Sequence, residues 1–195
     1  MNETDVNKLI YAKKVELSLR LVPVVMEEGV FAIHGGSAIN LFLKDLPRYS
    51  VDIDLTYIPL ADRTTSINDI NMHLKSISDK AKRAIKGMHI TPKFDTCKLL
   101  CEYQGRQVKI EVNQTKRGIV GGDVLTLPLS NKAQNEFSLY CEAKIVPLTL
   151  LYGGKIAAAL SRQHPRDLFA WQRQTDSRII RPKFYRPTRG DGKPV

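Results

Sequence analysis

The stretch Ile33–Tyr57, IHGGSAINLFLKDLPRYSVDIDLTY, constrains the fold more than any other part of the chain. It reads as the end of one strand, a glycine turn, a short helix and a second strand. Over Ser50–Tyr57 the residues alternate. Val51, Ile53 and Leu55 point one way, and Ser50, Asp52, Asp54 and Thr56 the other. Asp52 and Asp54 therefore share a face, with Cα atoms about 6.5–7 Å apart. Two carboxylates so placed repel each other, and a shared cation relieves the repulsion. Gly35-Gly36-Ser37 opens a helix over Ala38–Leu43, with Ser37 expected as its cap. Free amides at a helix start favour an anion such as phosphate. A phosphate cradle beside a two-carboxylate metal site suits nucleotidyl or phosphoryl transfer.

Either side of this stretch the periodicities are clear. Residues 5–28 predict a helix, with Val6, Leu9, Ile10, Leu17, Leu21, Val24 and Val25 in its apolar stripe and Gly29 as its stop. Residues 64–86 predict a second helix, buried along Ile67, Ile70, Leu74, Ile77, Ala81 and Ile85. Its other face carries Lys75, Lys80, Lys82, Arg83 and Lys86, expected to be solvated. Strands follow over 88–94, 98–103 and 108–112, the last two joined at Gln104-Gly105-Arg106. Val108, Ile110 and Val112 alternate with Lys109, Glu111 and Asn113, so Glu111 lies on a polar strand face. That makes it the candidate third carboxylate; Asp95, Glu142 and Asp167 are the competing acids. Residues 114–135 read as a loop or ribbon, 142–146 as a strand and 148–162 as a helix. Tyr152-Gly153-Gly154-Lys155 in that helix is not a phosphate-binding Walker loop, because the first glycine and the hydroxyl after the lysine are missing. By itself Lys155 is a solvated helix lysine. Arg166–Gln174 restarts a helix after His164-Pro165, and Asp167 in its first turn suits the helix dipole.

A chain of 195 residues suggests one domain, over 1–175, followed by a basic flexible tail over 176–195. Thirty Lys and Arg against twenty Asp and Glu give a net charge of +10, which favours polyanionic partners such as nucleic acid. Cys97, Cys101 and Cys141 form no paired framework, which fits free thiols in a reducing cytoplasm. The start, MNETDVNKLI, lacks the pattern of a signal peptide, and no apolar run approaches the ~18 residues of a membrane span.

Gly36-Ser37, fourteen residues and then Asp52-Ile53-Asp54 resembles the signature of the DNA polymerase β-like nucleotidyltransferases. The fuller strings GGSAINLF and RYSVDIDL are similar to the AbiEii/AbiGii family, toxins of type IV toxin–antitoxin systems. GKIAAAL and HPRDLFA resemble a second motif of that family. The resemblance covers roughly residues 30–175. Many members continue into a further helical region that is missing here, which implies a minimal or truncated form.

The resemblance implies an α/β (α+β) fold, a small mixed sheet flanked by helices. It implies a catalytic set of Asp52, Asp54, Glu111, Lys155 and Asp167, and nucleotide binding by Gly35, Gly36, Ser37, Lys155 and Arg166. Asp52, Asp54 and Glu111 would hold Mg²⁺, or Mn²⁺ in its place. NMP would pass from an NTP to a hydroxyl acceptor, with RNA and in particular a tRNA 3′ end implied, and a cognate antitoxin encoded alongside. Two alternatives stay open. One is a nucleotidyltransferase acting on a small hydroxyl compound such as an antibiotic, and the other a non-enzymatic module that binds RNA or protein on the same scaffold.

Overall fold

The computed structural model describes the backbone of residues 3–162 and the side chains of residues 5–157. Met1–Leu151 group as one compact unit, and residues from Tyr152 onward group separately.

The first unit opens with helix α1 (Glu3–Met26), which contains Pro23 and is followed by Gly29 at φ +75°. Its second half is the buried half. Val15, Leu19, Leu21, Val22 and Val25 are almost wholly enclosed, whereas Val6, Leu9 and Ile10 stand in solvent. The expected stripe is thus corrected. The apolar spacing continues to the start of the helix, but only the part lying over the sheet is covered.

Strand β1 (Phe31–Ile33) leads into helix α2 (Gly35–Ser37), which runs on as a π-helical segment over Ala38–Leu43. Strand β2 (Ile53–Tyr57) follows, then helix α3 (Arg63–Ala84). Asp62 caps α3 by accepting the Thr65 amide at 3.0 Å. Ile70, Leu74, Ile77 and Ala81 are buried as their spacing requires. On its other face Lys80 is not simply solvated, because its ammonium meets Glu28 at 2.9 Å and Glu27 at 3.3 Å.

Strands β3 (His89–Lys93), β4 (Lys98–Tyr103) and β5 (Arg106–Val112) form a meander. The β4–β5 turn has two residues, Gln104 at φ +49° and Gly105 at φ +72°. Positive φ at both central positions is the hairpin turn whose twist matches its strands. Residues 114–135 hold more than a loop: they contain strand β6 (Leu125–Pro128) and helix α4 (Asn131–Phe137). Strand β7 (Glu142–Ile145) and helix α5 (Leu148–Arg162) complete the described chain.

The seven strands make one mixed sheet in the order β3-β4-β5-β2-β1-β7-β6. β2 runs parallel to β5 and antiparallel to β1, and β1 runs parallel to β7. One face carries Ile53, Leu55, Ile110, Val112, Phe31 and Ile33, all buried, and α1 and α3 pack on that side. The opposite face of the central strands carries Asp54, Lys109 and Glu111. The expected architecture, a small mixed sheet with flanking helices, is the one observed. Among the described residues no helix is long and apolar enough to cross a membrane.

Candidate active site

The carboxylates meet because β2 and β5 are neighbours in register. Asp54 pairs with Glu111, flanked by Ile53 with Ile110 and Leu55 with Val112. Paired residues on adjacent strands point to the same face about 4.8 Å apart. Burial of the isoleucines, leucine and valine on one face therefore fixes both acids on the other. Asp52 stands just before β2, and its Oδ1 accepts the Lys109 amide of β5 at 3.3 Å. All three acids thus lie along one strand boundary.

The glycine turn closes over this edge. The His34 amide donates to the Asp54 carbonyl at 2.9 Å, bringing Gly35 against the Asp54 side chain. A Cβ on residue 35 would stand 2.8 Å from Asp54 Oδ2, and Gly35 has φ +71°. Only glycine meets both conditions without strain. A Cβ on Gly36 would stand 2.9 Å from Ser50 Oγ.

Ser37 does not cap the helix as the sequence suggested. His34 occupies the cap position, and the Ser37 hydroxyl donates to the Asp52 carbonyl instead. Ser37 Oγ also lies 3.1 Å from Ser50 Oγ. The helix starts three residues earlier than expected, so this buried serine faces the strand carrying the acids and fixes the position of Asp52. Behind it, Asn40 is buried and its Nδ2 has no hydrogen-bond partner. That nitrogen lies 3.8 Å, and Arg48 Nη2 3.9 Å, from where a Cβ on Gly36 would be. A cradle that a methyl group would fill, bordered by an orphaned amide and a guanidinium, fits an oxyanion such as a nucleotide phosphate.

Cations crowd the acids. Lys109 Nζ lies 2.8 Å from Glu111 Oε2 and 3.6 Å from Asp52 Oδ2, and Lys98 Nζ lies 3.0 Å from Glu111 Oε1. The hydrogen bond to Glu111 raises the Lys109 pKa against the opposing effect of burial, and the charges of Asp52 and Asp54 add to it. Partial burial works to raise the Glu111 pKa, but the bonds from Lys109 and Lys98 bring it below the ordinary carboxylate value. His34 is pushed down to about 4, by burial first and by Lys116 second, with Glu111 opposing. Its imidazole is therefore neutral at physiological pH, at the edge of a strongly ionic cluster.

As the side chains stand, no three His, Cys, Asp or Glu among the described residues are grouped to hold a metal ion. The donor set nonetheless fits one. Asp52, Asp54 and Glu111 offer hard oxygen ligands on one strand boundary, and they already attract a cation in the Lys109 ammonium.

The structure brings Gly35, Gly36, Ser37, Asp52, Asp54 and Glu111 to one place. Lys155 lies on α5 beyond the first unit, while Arg166 and Asp167 fall outside the described residues. Of the competing acids, Asp95 sits in the 3₁₀ turn Phe94–Thr96, and Glu142 on β7 is bonded by the Tyr140 hydroxyl at 2.7 Å. Asn40, Arg48, Ser50, Lys98 and Lys109 were not singled out from the sequence. The Arg48-x-Ser50-x-Asp52 spacing held a usable signal, since alternate residues entering a strand share a face.

The family model described as the nucleotidyl transferase AbiEii toxin, type IV TA system, matches residues 23–169. No curated protein matches the chain.

Proposed function

The chain belongs to the AbiEii nucleotidyl transferase toxin family, and from that premise we propose that it transfers NMP from an NTP to a hydroxyl of RNA, a tRNA 3′ end being the leading acceptor. Asp52, Asp54 and Glu111 would hold Mg²⁺, which supplies charge neutralisation on the triphosphate and activation of the attacking oxygen. The backbone amides of Gly36 and Ser37 receive phosphate oxygens, and Asn40 and Arg48 extend that cradle. The acceptor oxygen attacks the α-phosphorus, the bond to the bridging oxygen breaks, and pyrophosphate leaves with the electron pair. Glu111, ionised at neutral pH, takes the hydroxyl proton. The family resemblance assigns neutralisation of the triphosphate to Lys155, nucleotide binding to Arg166 and a catalytic role to Asp167. As a toxin the protein is neutralised by a cognate antitoxin.

The observation that supports this reading best is the register of Asp54 on Glu111 beside the Gly35-Gly36 turn. The test is incubation with each labelled NTP, total RNA and Mg²⁺. Label should enter a discrete RNA band. Asp52→Ala or Asp54→Ala should abolish transfer in a protein that still folds, as a melting curve checks. Label that moves only to a small molecule, or full activity in either variant, sinks the proposal.

A further inference from the structure

At the far end of β5 from Glu111, a cleft of about 230 Å³ opens between α1 and the β4–β5 hairpin. Its helix side is formed by Lys13, Glu16, Leu17 and Arg20, spaced to lie on one face of α1. Its hairpin side is formed by Tyr103 and Arg106, which pair across the two-residue turn, together with Gln104. Leu17 is buried and makes an apolar floor.

Three cations and one carboxylate line the cleft. Glu16 meets Arg20 at 2.7 Å and Lys13 at 3.5 Å, and its single charge offsets only one of the two cations. Arg106 meets no carboxylate among the described residues. Its Nη1 donates to Gln104 Oε1 at 3.3 Å, and Gln104 Nε2 donates to the Tyr103 hydroxyl at 3.2 Å. One amide thus ties an aromatic ring to a guanidinium at the rim. A phenol ring beside a net positive cleft is the combination that binds single-stranded nucleic acid, by stacking a base and neutralising its phosphates. A free inorganic anion would have no use for the ring or the apolar floor. Arg106 and Glu111 stand five positions apart on β5, about 17 Å, so the cleft is distinct from the carboxylate cluster.

We propose that this cleft is a second RNA-binding site, in which Arg106, Lys13 and Arg20 hold phosphodiesters and Tyr103 stacks a base. It rests on the reading of RNA as the partner, not on the chemistry at Asp52 and Asp54. It anchors an unpaired segment of the acceptor away from the reacting hydroxyl.

The test is fluorescence anisotropy of the full chain with a labelled twelve-nucleotide oligouridylate, without NTP or divalent metal, over a range of salt. Wild type should bind, and more weakly as salt rises. Arg106→Glu should weaken binding about tenfold or more, and Lys13→Ala should flatten the log–log salt slope by about one. Tyr103→Ala should weaken binding about fivefold or more. Lys13 is largely exposed, so its variant reports on the cleft even if the hairpin variants fail to fold. Wild-type affinity in the cleft variants overturns the inference, as does displacement of the RNA by inorganic phosphate with no effect of Tyr103→Ala. If cleft variants lose binding while no transfer to RNA occurs in wild type, the proposed chemistry fails and this site stands. If wild type transfers and the cleft variants bind and transfer equally well, this site alone fails.

Discussion

Lys109 Nζ stands 2.8 Å from Glu111 Oε2, two residues along the same strand face, and reaches across to Asp52 at 3.6 Å. The ammonium occupies the side of the acids that a divalent cation would share. Removing it should help that cation. Lys109→Met is expected to tighten Mn²⁺ binding by roughly three- to tenfold, a gain of about 0.7–1.4 kcal/mol, of the size expected for a half-exposed charge. The metal-free protein should become slightly less stable. Titration of Mn²⁺ by electron paramagnetic resonance checks the first expectation, and a melting curve the second. Weaker Mn²⁺ binding in the variant would mean that Lys109 orders the acids instead of competing at them.

Gly35 and Gly29 both have positive φ, +71° and +75°, but their surroundings differ. A Cβ at Gly29 meets nothing within 4 Å, whereas one at Gly35 meets Asp54 Oδ2. Gly29→Ala should therefore cost only the backbone strain, about 1 kcal/mol, with catalysis intact. Gly35→Ala should cost about 1–3 kcal/mol and displace the Asp54 carboxylate, so that transfer falls far more than stability does. Parallel urea denaturation and single-turnover assays separate the two; equal activity losses would remove Gly35 from the site.

Asn40 offers a way to tell a ligand group from a structural one. A buried amide nitrogen without a partner destabilises the empty protein, and an apolar side chain of similar size avoids that cost. Asn40→Leu should leave the melting temperature unchanged or raise it, and weaken NTP binding about tenfold, or 1.4 kcal/mol. Calorimetric titration with a non-hydrolysable NTP is the measurement. Unaltered affinity would exclude Asn40 from the phosphate cradle.

The side chain of Glu28, two residues past the end of α1, is nearly buried. It lies 2.6 Å from His73 Nδ1, 2.7 Å from Ser76 Oγ and 2.9 Å from Lys80 Nζ. Burial works to raise its pKa, but the bonds from His73, Lys80 and Ser76 bring it below 4.5. A depressed carboxylate pKa stabilises the fold above the unfolded value, and that stability is lost as pH falls through the folded value. Glu28→Gln should be about 1.5–3 kcal/mol less stable than wild type at pH 7. The difference should shrink progressively below about pH 4.5, where unfolded glutamates begin to protonate. A gap between the two denaturation curves that stays constant from pH 7 to pH 3 would contradict this.

Much of the site was legible in order along the chain. Alternation put Asp52 and Asp54 opposite Ile53 and Leu55, and Glu111 opposite Ile110 and Val112, because strand side chains have a period of two whatever the fold. The glycines before Ser37 marked a turn, and Gly35 in it has a positive φ. Periodicity also defined α3, and composition set the net charge.

Tertiary structure decided the rest. No local pattern states that β2 pairs with β5 in parallel, yet that register is what brings Asp54 to Glu111. Residues 57 positions apart, Asp52 and Lys109, become partners only through it. The same holds for Ser37, which reads locally as a cap but bonds the carbonyl of Asp52 once the turn folds back on β2. Half of α1 has the right spacing for burial and stays exposed, because periodicity says which side of a helix is apolar and not how far the sheet beneath it extends.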